Sequence, residues 1–137
     1  MILVDAGPLI AAFDNSDDHH AECAELLQTA PDELLVPQPV IAEVCYMIGR
    51  AHFGAAAEAM FLRSFTDGSL TAVPLEPPDF ERMAELVEQY ASLPLGGSDA
   101  SVIALAERLE IDKVATLDRR HFTVVRVRHR AALTLLP

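Results

Sequence analysis

The 137-residue chain is predicted to be an α/β protein with three layers, α/β/α, built on a short and mostly parallel sheet. Three observations predict it. Brief apolar runs, such as ILV at 2–4 and LTAV at 70–73, alternate with longer stretches of helical periodicity, the pattern of strands joined by helical crossovers. The runs close on turn residues, Asp5-Ala6-Gly7 after the first and Pro74 after the third. Finally, 51% of the residues are apolar, enough to fill one core at this length and far more than a disordered chain carries.

Each element has its own signal. Residues 2–5 (ILVD) read as a buried strand ending at Asp5. Residues 7–13 read as a short helix, with Pro8 tolerated in the first turn. An amphipathic helix is predicted over 17–30, with Ser16 as N-cap, Asp17 and Asp18 at the positive end of its dipole, and Pro31 as its stop. A second strand follows at 33–36. Residues 39–52 read as a helix with Val40, Val44, Met47 and Ile48 on one stripe. A fourth helix runs from Gly54 to Phe65, and its apolar side chains suit either a dimer face or the core. The third strand is 70–73. A fifth helix at 79–91 turns Phe80, Met83, Leu86, Val87 and Tyr90 inward. After a Leu95-Gly96-Gly97 loop, Ser98 is predicted to cap a sixth helix reaching Leu109. Residues 113–116 read as the fourth strand and 123–127 as a fifth.

The net charge of −11 opposes phosphate binding, which wants a basic footprint. The distribution is uneven, however. Arg119, Arg120, Arg126, Arg128 and Arg130 fall within one segment that holds no carboxylate. They suit a solvated face or an RNA-binding one equally. No apolar run is long enough to span a bilayer, and the start, Met-Ile-Leu-Val-Asp, lacks a secretory pattern. The expectation is a cytoplasmic protein with no membrane partner. Cys23 and Cys45 read as small core hydrophobes, without the spacing of a zinc site.

Four carboxylates and one hydroxyl are candidates for chemistry. In open parallel sheets ligands bind outside the carboxyl ends of the strands. Asp5 ends the first strand and Asp118 follows the fourth, so both belong at that edge. Each also suits a turn. Glu43 lies beside an apolar helical stripe, where a solvated residue is the alternative. Asp99 opens a helix after two glycines; a first-turn Asp is favoured by the dipole alone. Thr116 can project beside Asp118, its hydroxyl holding a carboxylate. Jointly the four acids say more than each does singly. Carboxylates crowded together repel unless a cation lies between them. An oxygen-only donor set suits Mg²⁺ or Mn²⁺. Such ions serve phosphodiester hydrolysis well, because they activate water and stabilise both charged oxygens.

Four segments carry a resemblance: MILVDAGPLIA, VIAEVCYMIG, GGSDASVIALAERL and KVATLDRRHF. In order and spacing they resemble the PIN-domain family, and within it the VapC-like ribonuclease toxins of type II toxin–antitoxin pairs. The resemblance covers nearly the whole sequence and implies a single PIN-like domain over 1–137. It implies a Mg²⁺- or Mn²⁺-dependent endoribonuclease that hydrolyses RNA with metal-activated water. Asp5, Asp99 and Asp118 would be metal ligands, Glu43 would bind directly or through water, and Thr116 would orient a carboxylate. The implied partners are an RNA substrate, a cognate antitoxin that reaches the acids with basic side chains, and a second copy in a homodimer. Two departures stand out. Ala6-Gly7 replaces a hydroxyl residue common after the first Asp, leaving only backbone N–H groups there. Arg119, Arg120 and His121 occupy the stretch where many relatives place a further Asp, which predicts one tightly held ion and a second that needs substrate phosphate.

Other readings are weaker on the residues. A haloacid-dehalogenase domain wants a second Asp where Gly7 stands, and a receiver domain wants a Lys after a late strand, whereas Lys113 begins one. A catalytically inactive binding module has no use for four mutually repelling acids. A housekeeping RNA-processing PIN nuclease remains the alternative to a toxin. His19 and His20 point about 100° apart on a helix and do not share an ion easily. His121 reads as surface packing, with proton transfer as the alternative.

Overall fold

The structure is a computed structural model that describes residues 1–50 and 53–137. The last two residues of the helix predicted at 39–52 lie outside the described residues. Five strands form one sheet in the order β3-β2-β1-β4-β5, and every pair is parallel. They are β1 (Ile2–Val4), β2 (Leu34–Pro37), β3 (Thr71–Val73), β4 (Lys113–Ala115) and β5 (Thr134–Leu136). The connecting helices are α1 (Ala6–Phe13), α2 (His20–Thr29), α3 (Gln38–Arg50), α4 (Gly54–Arg63), α5 (Pro77–Gln89), α6 (Gly97–Arg108) and α7 (Arg119–Val124). This is the three-layer α/β/α arrangement predicted above. A parallel pair needs a crossover, so each strand is followed by helix before the chain returns.

β1 and β2 are buried on both faces, and their side chains are apolar without alternation. That is the signature of a strand covered by helices on two sides. The deepest helix is α6, in which every residue from Ala100 to Ala106 is buried. It packs against α5, α3, β1 and β2, and its small buried residues Ala100, Ser101 and Ala104 keep its surface thin. On α3, Val40, Val44 and Ile48 are wholly buried at helical spacing. Met47, expected on that stripe, is instead half exposed, because it lies one residue off the buried row.

Four further expectations are corrected by the structure. The helix expected to start at Asp17 starts at His20, and Ser16 does not cap it. Asp14 Oδ1 accepts from Ser16 N–H at 3.0 Å and Asp17 Oδ1 from His19 N–H at 2.7 Å; these local turns satisfy the backbone in place of a helix. Ser98 is not an N-cap either: Gly96 is, and Ser98 lies within the first turn. On α5, Phe80 and Val87 are exposed rather than inward. The buried row is Asp79 and Leu86, with Met83 and Tyr90 packed at its margin. Phe80 and Val87 each follow a buried residue by one, a turn of about 100° toward solvent.

The fourth correction is at the C-terminal end. Residues 123–127 are not a strand. Asp118 Oδ1 accepts from the His121 N–H at 3.2 Å and starts a helix there. Phe122 and Val125, three apart, go into the core. The fifth strand is Thr134–Leu136, held by Thr134 N–H to Asp112 O at 2.7 Å and Thr116 N–H to Leu136 O at 2.9 Å. Cys23 and Cys45 are free thiols, and burial pushes the Cys23 thiol up to about 11, well away from the reactive range. No described helix is long and apolar enough to cross a membrane.

Candidate active site

The chain runs from β1 to β2 in one direction and later inserts β4 on the other side of β1. The carboxyl ends of β1 and β4 therefore flank the point where strand order reverses, the natural crevice of an open α/β sheet. Asp5 stands there. It leaves β1 in extended conformation, its N–H donating to Ala115 O at 2.9 Å, and precedes α1 directly. Only 6% of it is exposed. Thr116, the residue after β4, donates its hydroxyl to Asp5 Oδ2 at 3.0 Å and accepts the Asp118 N–H at 3.0 Å. One buried hydroxyl thus ties the two strand ends together and fixes where Asp118 starts.

The other two acids arrive on helices. Asp99 sits in the first turn of α6. Glu43 rides on α3, one turn beyond Val40 and beside Val44, whose burial sets the angle of the exposed carboxylate. The Ser98 hydroxyl donates to Glu43 Oε2 at 2.7 Å and so joins α6 to α3. Asp5, Glu43, Asp99 and Asp118 line one open cleft of about 520 Å³ with Ala6, Gly7, Ile10 and Leu117. All four sequence-predicted acids are brought together.

Residues 2–127 match the family model of the PIN domain. The chain belongs to the PIN-domain family. It is also similar to Ribonuclease VapC26 of Mycobacterium tuberculosis, with 30% identity over 136 residues, covering 99% of this chain and 100% of the relative. Among solved structures, VapC20 of Mycobacterium tuberculosis, a sarcin-ricin loop cleaving toxin, superposes with a TM-score of 0.80 at 18% identity, covering 93% of this chain and 99% of its own. VapBC2 from Rickettsia felis, bound to a DNA fragment from its promoter, gives 0.69 at 15% identity, covering 98% and 97%. At these identities the two structures bear on the fold alone.

The electrostatics of the cleft are those of crowded, partly buried carboxylates. Burial lifts the Asp5 carboxyl from its ordinary 3.8 to about 6. The Ala6 N–H and the Thr116 hydroxyl oppose that rise, and the charges of Asp99 and Glu43 add to it. Asp99 is also raised, first by burial, with His121 opposing and Asp118 and Glu43 reinforcing. A carboxylate raised by desolvation and by like charges gains most from a positive partner. The donors are hard oxygens in an open cleft, and this set fits Mg²⁺ or Mn²⁺.

Two residues of the site were not foreseen as such. His121, expected as surface packing, points into the cleft rim, its Nδ1 2.5 Å from Asp118 Oδ2 and 3.3 Å from Asp99 Oδ2. The only trace in sequence was its place three residues after Asp118, which matters solely if that segment is helical. Gly7 faces Leu117; a Cβ there would lie 3.2 Å from Leu117 Cβ. Its bareness lets α1 approach the 116–118 loop. His19 and His20 do not join the four acids of the cleft: His20 Nδ1 bonds Ala11 O at 2.8 Å and His19 Nδ1 lies against Glu22.

Proposed function

We propose that this chain is a divalent-metal-dependent endoribonuclease acting as the toxin of a toxin–antitoxin pair, with residues 1–137 as one functional PIN-like unit in the cytoplasm. The observation that carries the reading is the convergence of Asp5, Glu43, Asp99 and Asp118 at the strand-order switch, with the Asp5 carboxyl raised to about 6. Asp5, Asp99 and Asp118 would hold Mg²⁺ or Mn²⁺, with Glu43 binding directly or through water. When bound, the ion supplies activation of water and charge stabilisation at phosphorus. The chain's own groups do the rest. Thr116 holds the Asp5 carboxylate in one orientation, Ser98 does so for Glu43, and α1 walls one side of the cleft.

The toxin reading draws support from the ribonuclease relative at 30% identity along its full length. A cleft this acidic and open attracts basic side chains, which suits an antitoxin that blocks it. A homodimer is supported by α3 and α4, which pack on each other and leave Tyr46, Met47, Met60 and Leu62 exposed. The test uses purified protein with a mixed RNA pool in Mg²⁺, in Mn²⁺ and in EDTA. Cleavage that requires metal and disappears in Asp99→Asn is expected. Cleavage that survives both treatments would sink the metal mechanism, and an inert protein that binds no metal would favour a binding module.

RNA phosphates need cations near these acids. The arginines of the 119–130 segment do not act alike. Arg128 is engaged with Glu85 at 2.8 Å, and Arg119 donates to Pro137 O at 2.6 Å. Arg120 is exposed, two residues past Asp118, and makes no ion pair among the described residues. Arg120→Ala is expected to raise KM for RNA several-fold, with kcat nearly unchanged, and to lower the salt slope of RNA binding by about one. An unaltered KM and slope would remove Arg120 from the RNA path.

A further inference from the structure

Three side chains meet at the outer rim of the cleft: Asp99 from α6, Asp118 after β4 and His121 from α7. One donor atom from each lies within 4.8 Å of the others. His121 Nδ1 is buried, and it forms no hydrogen bond with any described residue despite its contacts with both carboxylates. Nδ1 thus lies against two carboxylates without the geometry of a hydrogen bond to either, and a shared ion is an arrangement that would use all three donors. The His121 N–H donates to Asp118 Oδ1, so the imidazole and the carboxylate are held on one turn. The remaining described histidines bond elsewhere, His19 with Glu22, His20 with Ala11 O and His129 through Nε2 with Ile111 O; His129 Nδ1 also lacks a hydrogen bond, but it contacts no carboxylate among the ion pairs of the described residues.

We propose that His121 is a nitrogen ligand of the divalent cation held by Asp99 and Asp118, and that it tilts the site toward Mn²⁺ over Mg²⁺. The proposal rests on the nuclease reading above for the presence of a divalent cation. Its chemical basis is donor type. Mg²⁺ takes oxygen ligands in a small, strict octahedron and keeps several waters. Imidazole nitrogen suits transition ions. Carboxylates alone separate the two ions weakly, whereas one imidazole adds a donor that Mg²⁺ uses poorly. Nδ1 ligation requires the ring proton on Nε2.

Electron paramagnetic resonance of the full chain loaded with Mn²⁺ tests this without any activity assay. Electron spin-echo modulation from an imidazole ¹⁴N is expected in the wild type and absent in His121→Asp. That variant replaces nitrogen by oxygen and keeps the backbone N–H that caps α7, and circular dichroism checks that it folds. Competition between the ions should show the Mn²⁺-over-Mg²⁺ affinity ratio falling about tenfold in His121→Asp. Mn²⁺ binding without the ¹⁴N signal, a signal that persists in the variant, or an unchanged ratio overturns the proposal and leaves the nuclease reading standing. A wild-type protein that binds no Mn²⁺ at all overturns both.

Discussion

Asp5→Asn is expected to cut RNA cleavage by roughly 10²- to 10³-fold and, at the same time, to make the metal-free protein more stable. The two effects share one cause. Asp5 is almost wholly buried beside Asp99 and Glu43, and its carboxyl is raised from 3.8 to about 6. In the unfolded chain the group releases its proton near its ordinary value. Between those two points the folded protein holds a proton that the unfolded protein has lost, so stability falls as pH rises through the window. A rise of this size corresponds to about 3 kcal/mol, lost by the time the pH passes 6. Asn carries no charge to desolvate and still accepts the Thr116 hydroxyl. The metal-free wild type should therefore melt higher at pH 5 than at pH 7, and Asp5→Asn should show much less of that difference. Asp99 is raised in the same sense and contributes part of the residual slope. Carboxyls held below their ordinary range, such as Asp32 and Glu107, act in the opposite sense only in more acid solution. Saturating divalent cation should reverse the ranking and leave the wild type the more stable at pH 7. Thermal melts with and without metal at both pH values decide it. A variant that is destabilised in the metal-free state would show that Asp5 is held by its contacts and not strained by its charge.

The second large effect lies away from the cleft. Asp79, 2% exposed, accepts Arg108 Nε at 2.9 and 3.1 Å, and its Oδ2 accepts the Glu76 N–H at 2.8 Å. It therefore closes the first turn of α5 and clamps α5 to the end of α6. Beside it Arg82 grips Glu107 with two hydrogen bonds, at 2.7 and 3.0 Å, and reaches Glu85. α6 also carries Asp99 in its first turn, so this network seats the helix that presents one of the cleft's acids. Asp79→Ala removes a cap worth about 1 kcal/mol and leaves Arg108 without its closest anion. Together these should destabilise the fold by about 3 kcal/mol, a fall in Tm of about 10 °C. Denaturant melts of Asp79→Ala, Arg108→Met and the double variant would show coupling if the clamp is real. A loss under 1 kcal/mol with no coupling would reduce the pair to surface decoration.

The same contrast separates what was legible in the sequence from what was not. Strands β1 and β2 were legible because they are buried on both faces, where only a short apolar run fits; β3 and β4, less buried, were legible as short apolar runs between turn residues and helical stretches. Asp5 and Asp118 were legible for a related reason: a parallel sheet sends strand ends to one edge, so a carboxylate directly after an apolar run has a fixed destination. β5 was not, because its three residues, Thr134–Leu136, are too few to show a period, and the apolar run at 123–127 competed for the part. That run lost to a cap, Asp118 to the His121 N–H, which is a contact between side chain and backbone. Phe80 and Val87 were misassigned because the inward row of α5 holds an acid, and Asp79 is buried only because Arg108 comes from another helix to meet it.

The residue order by itself determined the layered α/β plan and the four acids that belong to its carboxyl edge, since burial and strand direction act locally along the chain. Tertiary structure alone decided the orientations: Thr116 on Asp5, Ser98 on Glu43, and His121 against Asp99 and Asp118. Apart from the local His121–Asp118 contact, these contacts join residues on separate elements, and their geometry follows from how helices seat on the sheet, which no run of neighbouring residues encodes.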